Sequence, residues 1–188
     1  MLDLNFKRTA LVLIDLQNWT LGMPLAPHAS ATVVENASRL AAAVRKSGGT
    51  IVLVRIGFSG DYLDMLKLPV DETLTLPEGG IPEAALAFND RIKSIGPDIT
   101  ITKRQWSAFY GTELDLQLRR RGIETLIVGG VMTNFGVEST ARDAWQHNYA
   151  VVIAEDACAS RDEVMHRFSI EKILPRVSRV RSTAEIVS

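Results

Sequence analysis

Asp15 closes the apolar run Ala10-Leu11-Val12-Leu13-Ile14. A carboxylate joined directly to a buried strand is costly unless it is paired or hydrogen-bonded. Two readings fit it. It caps a turn or binds a backbone amide, or it is a general acid or base whose pKa burial raises and a nearby cation lowers. Lys103 is the natural cation: it follows the run Ile99 to Thr102 and precedes Trp106, Phe109 and Tyr110. A lone lysine usually reads as an exposed one; placement on the same sheet edge as Asp15 lifts it above that. The third position is Gly136, in Gly129-Gly130-Val131-Met132-Thr133-Asn134-Phe135-Gly136. With Asn134 as an N-cap, Gly136 falls in a first helical turn, where backbone N–H groups lack intrahelical partners and the dipole is positive. A glycine there admits a polar or anionic ligand atom close to the backbone. Close packing of helix on strand also selects glycine, and Thr133 and Asn134 read equally as cap residues.

These positions follow apolar runs, so the elements matter. Thr9 to Ile14, Ile51 to Val54, Ile99 to Thr102, Thr125 to Val128 and Val151 to Ala154 read as strands buried on both faces, with a weaker last strand at Arg176 to Val180. Helical patterns alternate with them. Thr32-Val33-Val34-Glu35 reads as a capping box, as does Ser160-Arg161-Asp162-Glu163; Thr112 reads as the cap of a helix carrying Leu114 and Leu118. Strand and helix in alternation predict an α/β fold with a mostly parallel sheet, and ligands in such sheets bind beyond the carboxyl ends of the strands. The stretch Gly57 to Ile81 is irregular, a length that suits a lid, an oligomer contact or a surface excursion.

The 188 residues suit one domain, 1–188. A net charge of −1 offers no basic field for nucleic acid or an anionic membrane surface. No targeting segment is apparent, and the run ending at Asp15 is far short of the ~20 residues that span a bilayer, so a soluble, cytoplasmic protein is expected. Cys158 alone excludes an internal disulfide. Phosphate-loop, dinucleotide and nucleophile-elbow motifs are absent. His28, His147 and His166 are distant in sequence and show no metal-binding spacing, so each is expected at a surface or helix end, with no catalytic metal. Arg119-Arg120-Arg121 reads as a solvated helix end.

Taken together, Leu13-Ile14-Asp15-Leu16-Gln17, Thr102-Lys103 with Ser107 to Thr112, and Gly130 to Asn134 with Glu138 to Ala144 resemble the isochorismatase-like, or cysteine hydrolase, family across nearly the whole chain. The pattern is similar to an uncharacterised enterobacterial branch. The resemblance implies a three-layer α/β/α sandwich, Rossmann-like, with six parallel strands. It implies catalytic Asp and Lys at Asp15 and Lys103, and a cis peptide at Val131–Met132. The family's catalytic Cys maps onto Gly136, so that nucleophile is missing. Family amidases attack a carbonyl with the thiolate, and nicotinamidases add an Asp/His metal site that this sequence lacks. Isochorismatases also carry glycine there and split a vinyl ether without a covalent intermediate; an acid at the Asp15 position protonates the vinyl carbon and water traps the cation. The run Met132-Thr133-Asn134-Phe135 is that of the cysteine branch.

The reading is a non-covalent hydrolase of a small polar or anionic metabolite, without cofactor or metal. Asp15 and Lys103 carry the chemistry, and Gln17, Trp106, Phe109, Met132, Thr133, Asn134 and Gly136 line the pocket. The alternatives are a binding protein that has lost catalysis, and an amide hydrolase using Cys158. The family also implies a homodimer or homotetramer, with Gly57 to Ile81 as the candidate contact.

Overall fold

The apolar runs become the strands of one sheet. The computed structural model describes residues 2–188. In chain order it contains β1 (Thr9–Ile14), α1 (Asn18–Leu21), α2 (Ser30–Lys46), β2 (Thr50–Ile56), α3 (Glu83–Leu86), α4 (Asp90–Lys93) and β3 (Ile99–Lys103). Then come α5 (Leu114–Arg120), β4 (Thr125–Val131), α6 (Glu138–Gln146), β5 (Ala150–Ala159), α7 (Glu163–Phe168), β6 (Arg179–Arg181) and α8 (Thr183–Val187). The six strands are parallel throughout, in the order β3-β2-β1-β4-β5-β6. The expected α/β architecture is therefore present.

Alternation along β1 makes two cores. Leu11 and Leu13 point to one face and pack with Val33, Ala37, Leu40 and Val44 of α2 and Ile186 of α8. Ala10, Val12 and Ile14 point to the other, with Leu114 and Leu118 of α5 and Ala141 and Ala144 of α6. Covering both faces is what a continuously apolar parallel strand requires. The chain leaves β1 towards β2 on one side, while β4 joins it on the other. The carboxyl ends of β1 and β4 thus flank the topological switch point, where open sheets leave a crevice for ligands.

Several helix starts differ from the sequence reading. α2 begins at Ser30 behind Ala29, whose extended backbone starts the helix without a side-chain cap; Thr32 lies inside the first turn, and Glu35 pairs instead with Arg91 at 2.5 Å. At α7 the cap is Asp162, which accepts from the Val164 and Met165 amides, while the Ser160 hydroxyl donates to Asn134 Oδ1. Asn134 is not an N-cap either: a wide turn, Thr133–Val137, precedes α6. At α5 the cap position is Glu113, which makes no side-chain cap bond, while Thr112 one residue earlier accepts from the Leu114 amide at 3.2 Å. The last strand begins at Arg179, because Leu174–Arg176 form a single tight turn. No helix among the described residues is long and apolar enough to cross a membrane.

Candidate active site

At the end of β1 the chain turns sharply. Asp15 adopts φ +52°, a left-handed conformation that residues other than glycine seldom take. Its amide donates to the Val54 carbonyl at 2.8 Å, and its own carbonyl accepts from the Thr20 hydroxyl. These bonds hold the carboxylate inward, where Asp15 is only 6% exposed.

Lys103, the last residue of β3, is 2% exposed. Its Nζ donates to Asp15 Oδ2 at 2.6 Å and to the Gln105 carbonyl at 3.2 Å. Two residues far apart in sequence thus form a buried ion pair. The other carboxylate oxygen, Oδ1, is buried and finds no hydrogen-bond partner among the described residues. Burial pushes the Asp15 carboxyl above the ordinary carboxylate range and outweighs the Lys103 ammonium and its hydrogen bond, which pull the other way. The pair therefore leaves one carboxylate oxygen held by Lys103 and the other without a partner among the described residues.

Gly136 borders this pair. A β-carbon there would lie 3.0 Å from Ile14 Cγ2, 3.4 Å from Asp15 Oδ2 and 3.5 Å from the Trp106 carbonyl oxygen. Glycine lets this backbone pack closely against the carboxylate. Trp106 is exposed and packs on Phe135, with ring centroids 4.9 Å apart. The Val131–Met132 peptide is cis, as the resemblance implied.

The remaining site candidates are placed differently. Gln17 is wholly buried, and backbone groups occupy its amide: Nε2 donates to the Ile56 and Leu86 carbonyls at 2.9 and 2.7 Å, and Oε1 accepts from the Ile56 amide at 2.9 Å. It positions the end of β2 and leaves no free donor for a ligand. Phe109 lies in the core, stacked on His147 at 5.2 Å and beside Tyr149. Met132 packs against the core on the α2 face. Thr133 is buried and bonded to His166 Nδ1 at 2.8 Å. Asn134 accepts from the Ser160 hydroxyl, and its Nδ2 faces Met165 Sδ at 3.8 Å.

Cys158 is fully buried in the core, and burial pushes its thiol far above the usual range. A thiol held in that state supplies no nucleophilic thiolate.

The expectation that each histidine lies at a surface or helix end fails for His166, which is buried. His28 and His166 converge on Glu155, and His166 is buried, although the three residues share no short sequence motif. Only His147 lies at an exposed helix end. Two further hydrogen bonds position this region and are not evident from residue type alone. The Ser107 hydroxyl donates to Asp143 Oδ2 at 2.5 Å, and the Ala108 amide to Thr140 Oγ1 at 3.0 Å. These bonds tie the segment after Lys103 to α6; their signal was the joint occurrence of the Ser107 to Thr112 and Glu138 to Ala144 motifs.

Comparison with known proteins places the whole chain in one family. An isochorismatase domain is matched over residues 9–185. The isochorismatase family protein YecD of Escherichia coli O157:H7 is 50% identical over 188 residues, covering 100% of this chain and 99% of that one. The ureidoacrylate amidohydrolase RutB of Cronobacter sakazakii is 30% identical over 210 residues, covering 97% and 89%. Among solved structures, an isochorismatase family protein from Burkholderia thailandensis superposes with a TM-score of 0.88 at 36% identity, covering 96% of this chain and 94% of that one.

Proposed function

The chain belongs to the isochorismatase family of hydrolases, and from that premise we propose that it hydrolyses a small polar or anionic metabolite without a covalent enzyme intermediate. The observation that carries the reading is the unequal state of the two Asp15 oxygens: Oδ2 is held by Lys103 on the side facing Gly136, and Oδ1 is buried without a partner among the described residues. Gly136 has no side chain with which to form an acyl-enzyme, and Cys158 is locked in the core. The attacking group is therefore water. Protonated Asp15 donates from Oδ1 to the substrate as the scissile bond is polarised. Water adds to the carbon left electron-poor, and the proton it releases returns to Oδ1. One water is consumed and the enzyme is regenerated. Lys103 fixes Oδ2 and offers positive charge to an anionic substrate or to the attacking water's partner oxygen.

The likeness to ureidoacrylate amidohydrolase supports a second substrate class, a ureido or carbamoyl compound. There Asp15 in its ionised form would take a proton from water attacking the carbonyl. A panel of vinyl ethers and of ureido and carbamoyl compounds, scored by mass spectrometry of products, separates the two. Asp15→Asn is expected to abolish turnover of whichever substrate responds, with circular dichroism unchanged. Thermal stabilisation by a panel compound with no product from the wild-type enzyme would instead mark a binding protein and overturn the reading.

A further inference from the structure

Three segments distant in sequence bring two imidazoles and a carboxylate to one point. His28 comes from the loop before α2, Glu155 from β5, and His166 from α7. His28 Nε2 lies 2.8 Å and His166 Nε2 3.1 Å from the same oxygen, Glu155 Oε1. The three ligand atoms all lie within 4.8 Å of one another. The rings meet edge to face, with centroids 5.7 Å apart and planes at 84°. The rings do not stack, and each turns its Nε2 to the same Glu155 oxygen.

The surroundings fix this centre. The Ala26 and Ser160 backbones pair in both directions, at 2.8 and 2.9 Å, so the His28 loop is pinned to the end of β5. The β4–β5 register jumps from Val128–Ile153 to Gly130–Cys158, which places Glu155 in the irregular stretch. The Asp162 cap sets the first turn of α7 and hence His166. The remaining His166 nitrogen, Nδ1, meets the Thr133 hydroxyl at 2.8 Å. Histidine ligands of metals characteristically use their second nitrogen in this way, which fixes ring and tautomer. A hydroxyl both donates and accepts, so this bond survives the change to the Nδ1–H tautomer that frees Nε2 for an ion. His166 is buried, while the side chains of His28 and Glu155 keep 25% and 30% exposure, so the centre has one solvent-facing side.

We propose that His28, Glu155 and His166 form a three-ligand site for a divalent transition ion, with zinc the best match and solvent in the fourth position. Two imidazoles and one carboxylate are a donor set suited to that ion, and three protein ligands leave the open position of a reactive or exchangeable site. The sequence-based ground for excluding a metal, dispersed histidines, no longer holds. Thr133 begins the turn that contains Gly136, so an ion here would brace that turn from behind. The inference does not depend on how Asp15 acts.

The test uses tag-free full-length protein, stripped with a chelator and titrated with Zn2+ by calorimetry and with Co2+ by visible absorption. The expected result is one ion per chain and the intense bands of low-coordinate Co2+. Binding should disappear in His28→Ala and Glu155→Ala, whose side chains are partly exposed. Thr133→Val should weaken it roughly ten- to a hundredfold, as loss of a supporting hydrogen bond does. Absence of saturable binding to the wild-type chain, a hydrated six-coordinate Co2+ spectrum, or binding unchanged in folded His28→Ala overturns the proposal. The Co2+ spectrum of the wild-type protein decides the matter even where a variant fails to fold.

Discussion

A β-carbon at Gly130 would stand 2.1 Å from the carbonyl oxygen of Ile14 and 2.6 Å from its nitrogen. The obstacles are backbone atoms of the neighbouring strand, which no rotamer change can move aside, and Gly130 has φ +124°. The close approach of β4 to β1 at the switch point therefore requires glycine. Gly130→Ala is expected to destabilise the fold by about 3 kcal/mol or more, from overpacking and backbone strain together. Urea denaturation measures this; a midpoint equal to that of the wild type would contradict the close approach.

Gly136 differs, because its nearest prospective contact is a side-chain methyl, Ile14 Cγ2 at 3.0 Å, and not backbone of the neighbouring strand. Gly136→Cys is expected to fold and to set a thiol beside the Asp15–Lys103 pair, whose ammonium favours thiolate. Folded wild-type protein should resist iodoacetamide because its one cysteine, Cys158, is buried. The variant should gain a single carbamidomethyl group, located by peptide mass spectrometry. Equal labelling of Cys158 in both proteins would show that the thiol is not sequestered.

Much of this arrangement was legible in the chain, and the reason is physical. Strands buried on both faces announce themselves as uninterrupted apolar runs, and a parallel sheet sends Asp15 and Lys103 to the same edge whatever the loops do. Their pairing at 2.6 Å follows from that edge. The histidine–glutamate cluster left no such trace, because it arises from the irregular stretch of β5 and a loop pinned by one two-residue bridge. Gln17 looked like a ligand-binding residue because it follows Asp15; only the fold reveals that Ile56 and Leu86 occupy its amide. The caps at Thr32 and Ser160 were misplaced for a local reason. Either residue type can cap a helix, and tertiary bonds decide which one does.

The Asp98 carboxylate accepts from the Ile51 amide at 2.8 Å and pairs with Arg45 at 2.7 Å, joining β2 to the start of β3. Burial raises its pKa, but the Ile51 amide and Arg45 outweigh burial and hold it below the ordinary value. A depressed folded-state pKa contributes stability that is present above the unfolded value and lost as pH falls through the folded one. Asp98→Asn should therefore cost stability at pH 7, on the order of 1 kcal/mol given its partial exposure. The difference from wild type should shrink as pH drops below the ordinary carboxylate range. Thermal melts across that range measure it; a constant difference would contradict the assignment.

Leu63, Leu66, Leu68, Val70 and Leu74 are exposed within one irregular segment. The segment is tied to the site through Asp64, which pairs with Arg104, the neighbour of Lys103, at 2.7 Å. Several exposed apolar side chains on one segment suit an interaction surface. The expected occupant is a second copy of the chain, giving a dimer or tetramer by analytical ultracentrifugation. Leu66→Asp with Leu68→Asp should shift the population to monomer while leaving the circular dichroism spectrum intact. A monomeric wild-type protein at micromolar concentration would rule this interface out.

The ionisation of Asp15 supplies the sharpest kinetic prediction. Its pKa is raised by burial against the pull of Lys103, so the folded protein holds the proton at a pH where a solvated aspartate has released it. An acid that must deliver this proton loses activity as pH rises through the raised value, by about tenfold per pH unit beyond it. An ionised base would show the opposite limb, losing activity as pH falls. The kcat/KM profile of the wild-type enzyme on a responding substrate is expected to decline on its alkaline side. Asp15→Asn should show a flat, near-background profile over the same range. Lys103→Met removes the opposing charge and its hydrogen bond, so burial then meets less opposition and the alkaline limb should move to higher pH. The move should be visible even if the variant is destabilised by several kcal/mol, as removal of one member of a buried pair generally is. A limb that stayed in place in Lys103→Met would detach the titration from this pair, and a wild-type profile that rose with pH would assign Asp15 the role of base.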